Sequence, residues 1–149
     1  MSVKEQLHAL CLASVETRIK TANSSILQTQ ASANEETKSS AGDKYETGRA
    51  MAQLEIEKTQ EQLADAIRQR NILTQLDRNS NSEKVQPGSL VYTNQGNFYI
   101  AIAAGPFEID GQKYFPISPT APIGLALLGL KRGEKFEFNK REFVVKSVE

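Results

Sequence analysis

The chain has 149 residues, with 18 Lys and Arg balanced by 18 Asp and Glu, 39% hydrophobic and 24% charged side chains, and a sequence pI near 6.6. That balance excludes a global charge field of the kind that draws a protein to nucleic acid or to a membrane. A single cysteine, Cys11, excludes an internal disulfide, and no run approaches the roughly 20 apolar residues that a membrane span requires.

Lys4, Glu5, Glu16, Arg18 and Lys20 interrupt the first 20 residues, which therefore lack the apolar block of a signal peptide. A reducing, cytoplasmic setting is expected. Composition then divides the chain near residue 80: all five prolines, all six phenylalanines, three of the four tyrosines and seven of the nine glycines come later. Net charge divides less sharply. Residues 1–80 carry 10 basic and 11 acidic side chains and the remainder 8 and 7, so no basic stripe is forced on either part.

Ser2 followed by Glu5 makes a capping box at the start of a helix. Leu12, Val15, Ile19, Ala22 and Ile26 recur at alternating steps of four and three, the seam of a packed helix running to about Asn34. From Ala50 the pattern resumes with Ala52, Ile56, Leu63, Ala66, Ile67, Leu73 and Leu76. Neither stripe is wide enough for a helix standing alone. Two such helices joined by a short polar link bury their seams by folding antiparallel, so residues 1–80 are expected to form a helical hairpin. Arms of about 32 residues would extend roughly 48 Å at 1.5 Å per residue. His8 and Cys11 lie three apart on the first arm, with no further Cys or His to complete a metal site, and are expected to be packed or at a rim.

The reversal falls at about 35–46, where Glu35, Glu36, Asp43 and Glu46 supply four carboxylates. Asp43 and Glu46 are three apart at the start of the second helix, which sets their side chains about 5–6 Å apart on one face. Two readings stand side by side. The pair is a capping arrangement, with Asp43 accepting from backbone N–H groups and Glu46 reaching back, or it is a place where one cation can be held.

Beyond Asn79-Ser80-Asn81-Ser82-Glu83, short apolar runs alternate with turn signals, and residues 84–149 read as a small domain of antiparallel strands. Leu90–Thr93 and Phe98–Ile102 flank Asn94-Gln95-Gly96. Phe107–Ile109 and Lys113–Ile117 flank Asp110-Gly111, the dipeptide favoured in a type I′ turn. Pro122 is placed to open a short helix over Ile123–Leu128, which Gly129 ends in the left-handed conformation. The last strands are Lys135–Phe138 and Glu142–Val148, joined near Asn139-Lys140. Clean alternation in Phe136-Glu137-Phe138 predicts a sheet with one wet face and one face covered by the helix. The fold class is therefore α+β, an N-terminal antiparallel hairpin followed by an antiparallel sheet domain with one short helix.

Ile117-Ser118-Pro119-Thr120-Ala121-Pro122-Ile123-Gly124-Leu125-Ala126-Leu127-Leu128-Gly129, followed by Lys131-Arg132-Gly133-Glu134, resembles the segment I-S-x-x-S-P-[IL]-[GA]-x-A-L-[LI]-G-K-x-x-G-D of bacterial Gre-type transcript-cleavage factors, the GreA/GreB-like transcription elongation factors. Gly42-Asp43-Lys44-Tyr45-Glu46 is similar to their G-D-x-x-E tip motif. The resemblance implies an N-terminal coiled coil and an FKBP-like C-terminal domain. Two stretches differ from the family pattern: Thr47-Gly48-Arg49-Ala50 stands where it usually continues Asn-Ala-Glu-Tyr, and Phe138-Asn139-Lys140-Arg141 replaces its Pro-Gly-Gly turn.

What this resemblance implies about function is specific. Such a protein is not itself an enzyme. It binds RNA polymerase, inserts its coiled coil into the secondary channel and stimulates the polymerase's own hydrolysis of backtracked RNA at the nascent 3′ end. Asp43 and Glu46 would be the site residues, helping to hold a second Mg²⁺ shared with the polymerase and not stably bound alone. Ile117, Pro119, Pro122, Ile123 and Leu127 belong to the segment implied in docking on the polymerase, where the competing role is to build the domain core. A monomer is expected, with no membrane partner. The alternatives are a secondary-channel regulator without cleavage activity and a coiled-coil and FKBP-like protein interaction module.

Overall fold

The computed structural model describes residues 2–39, 43–77 and 81–149, with the side chains of 35–39 and 43–45 left aside. Two helices come first, α1 (Val3–Ser39) and α2 (Asp43–Gln75), then β1 (Leu90–Thr93), β2 (Gly96–Ile100), β3 (Phe107–Ile109), β4 (Gln112–Ile117), α3 (Pro122–Leu127), β5 (Lys135–Phe138) and β6 (Arg141–Val148). Ser2 caps the helix as expected, its Oγ accepting from Glu5 N at 3.1 Å, one half of the capping box. At 37 and 33 residues, α1 and α2 extend about 55 and 50 Å. The first helix passes the expected end at Asn34 by five residues, because the chain meets neither proline nor glycine before Gly42.

The chain forms two compact units, Val15–Arg70 and a second comprising Met1–Ser14 with Asn71–Glu149. Within Val15–Arg70 the helices are antiparallel: Arg18 Nη2 donates to Gln69 Oε1, and Arg70 and Glu16 form an exposed ion pair at 3.8 Å. Val15, Ala22, Ile56 and Ala66 are buried along the seam, joined by Thr59, whose hydroxyl donates to Glu55 O at 2.9 Å and so enters the interior satisfied. Ile19, Ile26 and Leu63 are half-buried.

In the other unit the six strands form one sheet in the order β3-β4-β2-β1-β6-β5. Every neighbouring pair is antiparallel except β2 and β4, which run parallel with Phe98 beside Phe115. The sheet is thus mixed where a wholly antiparallel one was expected; β3 forms the expected hairpin with β4 but lies at the edge, which brings β4 alongside β2. Asp110 and Gly111 both have positive φ, 50° and 79°, as a type I′ turn requires. The last hairpin uses the same device at Asn139 and Lys140, with φ of 51° and 65°.

One face of the sheet carries the core cluster of Val85, Val91, Phe98, Ile100, Leu127, Phe143 and Val145, against which Ile117, Ile123, Leu128 and Phe136 pack. A single wet face is not what the central strands show. Leu90, Tyr99 and Tyr114 are as buried as Val91 and Phe98, so both faces are closed there. The same unit holds the ends of α1 and α2, with Leu7, Cys11 and Leu73 at 0% exposure. The edge strand β5 alternates between exposed and half-buried positions, and β4 between exposed and buried ones over Lys113–Pro116. His8, 5% exposed, donates from Nε2 to Leu73 O at 2.7 Å and satisfies a carbonyl in the last turn of α2. Neither His8 nor Cys11 is a ligand in waiting; both are packed, and burial pushes the Cys11 thiol up to about 12.

Candidate functional site

The two acids singled out by their spacing fall in the first turn of α2, Asp43 as its first residue and Glu46 one turn further. Glu46 is exposed. The side chain of Asp43, and with it the choice between a cap and a ligand, lies outside the described residues, as does most of the acidic link at 35–46. Among the described residues no three His, Cys, Asp or Glu side chains gather into a metal-binding group. The donor set available at Asp43 and Glu46 is hard oxygen, suited to Mg²⁺, and two carboxylates are too few to enclose such an ion alone.

Behind Glu46, Arg49 lies one turn along α2 and lines a groove with Ala52, Gln53 and Ile56 of α2 and Gln30, Ala33 and Asn34 of α1. Spacing arguments aimed at carboxylates passed over these amides; the signal available was the recurrence of Gln and Asn on the wet sides of two facing arms. Leu27, Met51 and Leu54 are exposed at 66%, 66% and 65%, so the apolar seam thins away from the buried positions.

The segment from Ile117 to Leu127 divides by burial. Leu127 is 0% exposed and belongs to the core, so it offers no surface to a partner. Ile117 and Ile123 are half-buried against that core, Pro119 is half-buried, and Pro122 is exposed at the first position of α3. Leu125, which was not singled out, is the exposed apolar residue of α3 at 60%. Gly124 is fixed by crowding: a Cβ there would stand 2.2 Å from Ser118 O. Ser118 Oγ and Thr120 Oγ1 share a hydrogen bond of 2.8 Å in the turn leading to the helix.

Two charged or polar groups of the sheet unit are set by burial. Desolvation lowers the affinity of the Lys4 ammonium for its proton, against the opposing pull of Asp77 and Glu149. Burial pushes the Tyr92 hydroxyl well up, helped by its hydrogen bond with Tyr114 and by the nearby Glu149 carboxylate. Among the described residues no helix is long and apolar enough to cross a membrane.

No protein-family model matches the sequence, and no curated protein matches it. Among solved structures the chain is similar to that of the transcription factor Gfh1, at 20% identity and a TM-score of 0.36, over 93% of this chain and 92% of that one. At that distance the fold stands on the elements themselves: a helical hairpin followed by a six-stranded mixed sheet with one short helix.

Proposed function

We propose that this protein is an accessory factor of RNA polymerase that brings Asp43 and Glu46 to the polymerase's catalytic centre and promotes hydrolysis of backtracked RNA there. The observation that carries the reading is that Asp43 and Glu46, within the sequence Gly42-Asp43-Lys44-Tyr45-Glu46, fall in the first turn of α2, with Glu46 exposed. Support also comes from the resemblance of residues 117–134 to the Gre segment. Asp43 and Glu46 would hold a divalent ion only together with carboxylates of the polymerase, since their own oxygens fall short of six-fold coordination. Bound in that way, Mg²⁺ supplies a nucleophile near neutral pH and charge compensation on the attacking and leaving oxygens. The chain's own part would be placement: Asp43 and Glu46 both fall in the first turn of α2, three positions apart in a helix.

A stalled, backtracked complex with 5′-labelled RNA tests this. Wild-type protein is expected to shorten the transcript from its 3′ end in Mg²⁺, and Asp43→Ala or Glu46→Ala to suppress shortening while binding to core polymerase persists. Equal cleavage by the alanine variants removes the acids from the mechanism. Thr47-Gly48-Arg49-Ala50 favours a second reading, a channel regulator without cleavage activity, because the surroundings of the acids differ from the Gre pattern. That reading takes over if the wild-type protein binds polymerase and leaves the transcript intact. Failure to bind polymerase leaves an interaction module of another kind.

A further inference from the structure

Strand β5 closes the sheet at one edge, and among the described residues nothing pairs with its outer side. Phe138 and Arg141 flank the two-residue turn Asn139-Lys140 and so exchange hydrogen bonds, while Glu134 O accepts from Val145 N at 2.9 Å. Bonded positions alternate along an antiparallel ladder. The N–H and C=O of Phe136 therefore also face β6, and those of Lys135 and Glu137 face outward. Gly133 and Asn139, with φ of 89° and 51°, bound this short stretch, which offers its backbone groups to a further strand.

The charges on the edge are arranged for a particular strand. Glu137 stands directly across from Glu142 of β6, a like-charge pair, and has no ion-pair partner of its own among the described residues. Lys135 instead meets Glu142 at 3.6 Å, with both side chains exposed. A strand that set a cation beside Glu137 would relieve the repulsion. Lysine on an edge ordinarily discourages pairing, but here the same strand carries both signs two positions apart. Laid antiparallel against itself about a two-fold axis at Phe136, β5 puts Lys135 opposite Glu137 of a second copy and Glu137 opposite its Lys135, both at bonded positions. The neighbouring registers that also join outward-facing groups set Lys135 on Lys135 or Glu137 on Glu137, and like charges directly opposite are destabilising. On the other face the two Phe136 rings meet at the closer, non-bonded position. Each is half-buried and already stacked on Phe143 of its own chain at 4.8 Å.

We infer that β5 is a self-pairing edge, through which two copies of this chain join antiparallel at Lys135-Phe136-Glu137 and continue one sheet into the other. So short a contact falls well below the ~1,200 Å² of a stable complex, so the pair forms at high concentration and separates on dilution. The expected monomer is the dilute form.

Sedimentation equilibrium of the full chain from about 10 μM to about 1 mM tests this. The weight-average mass of the wild type is expected to climb from 16.5 kDa towards twice that value. K135E and E137K each place like charges opposite one another in the pair, and each is expected to weaken association about fivefold or more. An equimolar mixture of the two variants restores opposite charges at both contacts between unlike chains, and should regain wild-type association; so should the double variant K135E/E137K. Loss of the Lys135–Glu142 contact is common to K135E alone and in the mixture, so recovery cannot come from that contact. Circular dichroism checks that each variant is folded. A wild type that stays monomeric at the highest concentration overturns the inference and leaves the edge to an extended segment of a different protein. Single variants that associate like wild type, or a mixture that associates no better than its components, overturn it as well. The measurement uses the chain alone, so its outcome is independent of whether the protein binds polymerase.

Discussion

Replacing Gly124 by Ala sets two effects against each other. Helix propensity favours Ala by ~1 kcal/mol in the interior of a helix. The added Cβ, however, would stand 2.2 Å from Ser118 O, about 1.2 Å inside the 3.4 Å at which ordinary contact begins (3.4 less 2.2), and 3.1 Å from Pro119 Cα. Both obstacles are backbone. Ser118 O also accepts from Ala121 N at 3.1 Å, so the carbonyl cannot turn aside without giving up that bond. Overpacking of this kind costs about 1–3 kcal/mol and the hydrogen bond about 1 kcal/mol more. After the propensity gain, a net loss of about 2 kcal/mol is expected, or ~4–8 °C in melting temperature for a chain of this size. The protein has no tryptophan, and three of its four tyrosines lie in the sheet unit, so tyrosine fluorescence during urea or thermal unfolding reports the unit that contains α3. Gly129→Ala is the control, since φ there is +83° and nothing lies within 4 Å of the added Cβ. Its cost is conformational alone, about 1 kcal/mol, and Gly129→Asn should recover part of it. A Gly124→Ala protein as stable as wild type, or more so, refutes the crowding argument and leaves propensity in charge.

His8→Ala removes a buried side chain and the hydrogen bond to Leu73 O, and about 2–3 kcal/mol of stability should go with them in a urea titration; His8→Gln, which keeps a donor, should lose less. Alkali should weaken the fold through Cys11 and Tyr92. Both groups keep their protons in the native state beyond the unfolded values of 9.0 and 10.0, so their contribution is complete below about pH 9 and declines as pH rises through the native values. Lys4, shifted the other way, gains stability as pH climbs towards 10.5 and offsets part of that decline. The urea midpoint should therefore fall between about pH 9 and pH 12, less steeply in Cys11→Ala combined with Tyr92→Phe; an unchanged slope contradicts the assignment. Lys140→Gly relieves a left-handed φ of 65° in the β5–β6 turn and should stabilise by about 0.5 kcal/mol, measured as a rise in melting temperature.

Local signals carried much of the architecture. The Ser2 cap, the Asp110-Gly111 turn, Pro122 at the head of α3 and the left-handed Gly129 each follow from chemistry within a few residues, and each stands where that chemistry puts it. What escaped depends on neighbours remote in sequence. Period-two alternation says which way a side chain points, not which strand lies alongside, so the parallel β2–β4 pair had no local signature. Nor does alternation within β1 and β2 reveal that Leu90 and Tyr99, on the second face, are buried as well. In α3, only six residues long, periodicity cannot rank one leucine above another, and burial alone separates Leu127 from Leu125. Thr59 was missed in the hairpin seam because its hydroxyl reads as polar until the bond to Glu55 O is seen. At the candidate site, Asp43 and Glu46 were legible from their spacing and Glu46 is exposed, whereas the amide groove required two arms to be aligned against each other.

The sheet's companions also govern how the protein can be dissected. Met1–Ser14 belongs with Asn71–Glu149, and Leu7, Cys11 and Leu73 are sealed within that body. A fragment begun at residue 84 would therefore lack part of the compact body to which its strands belong, including the fully buried Leu7, Cys11 and Leu73. A truncation meant to isolate the sheet should instead excise 15–70 and bridge Ser14 to Asn71 with a short turn, leaving both helical stubs in place.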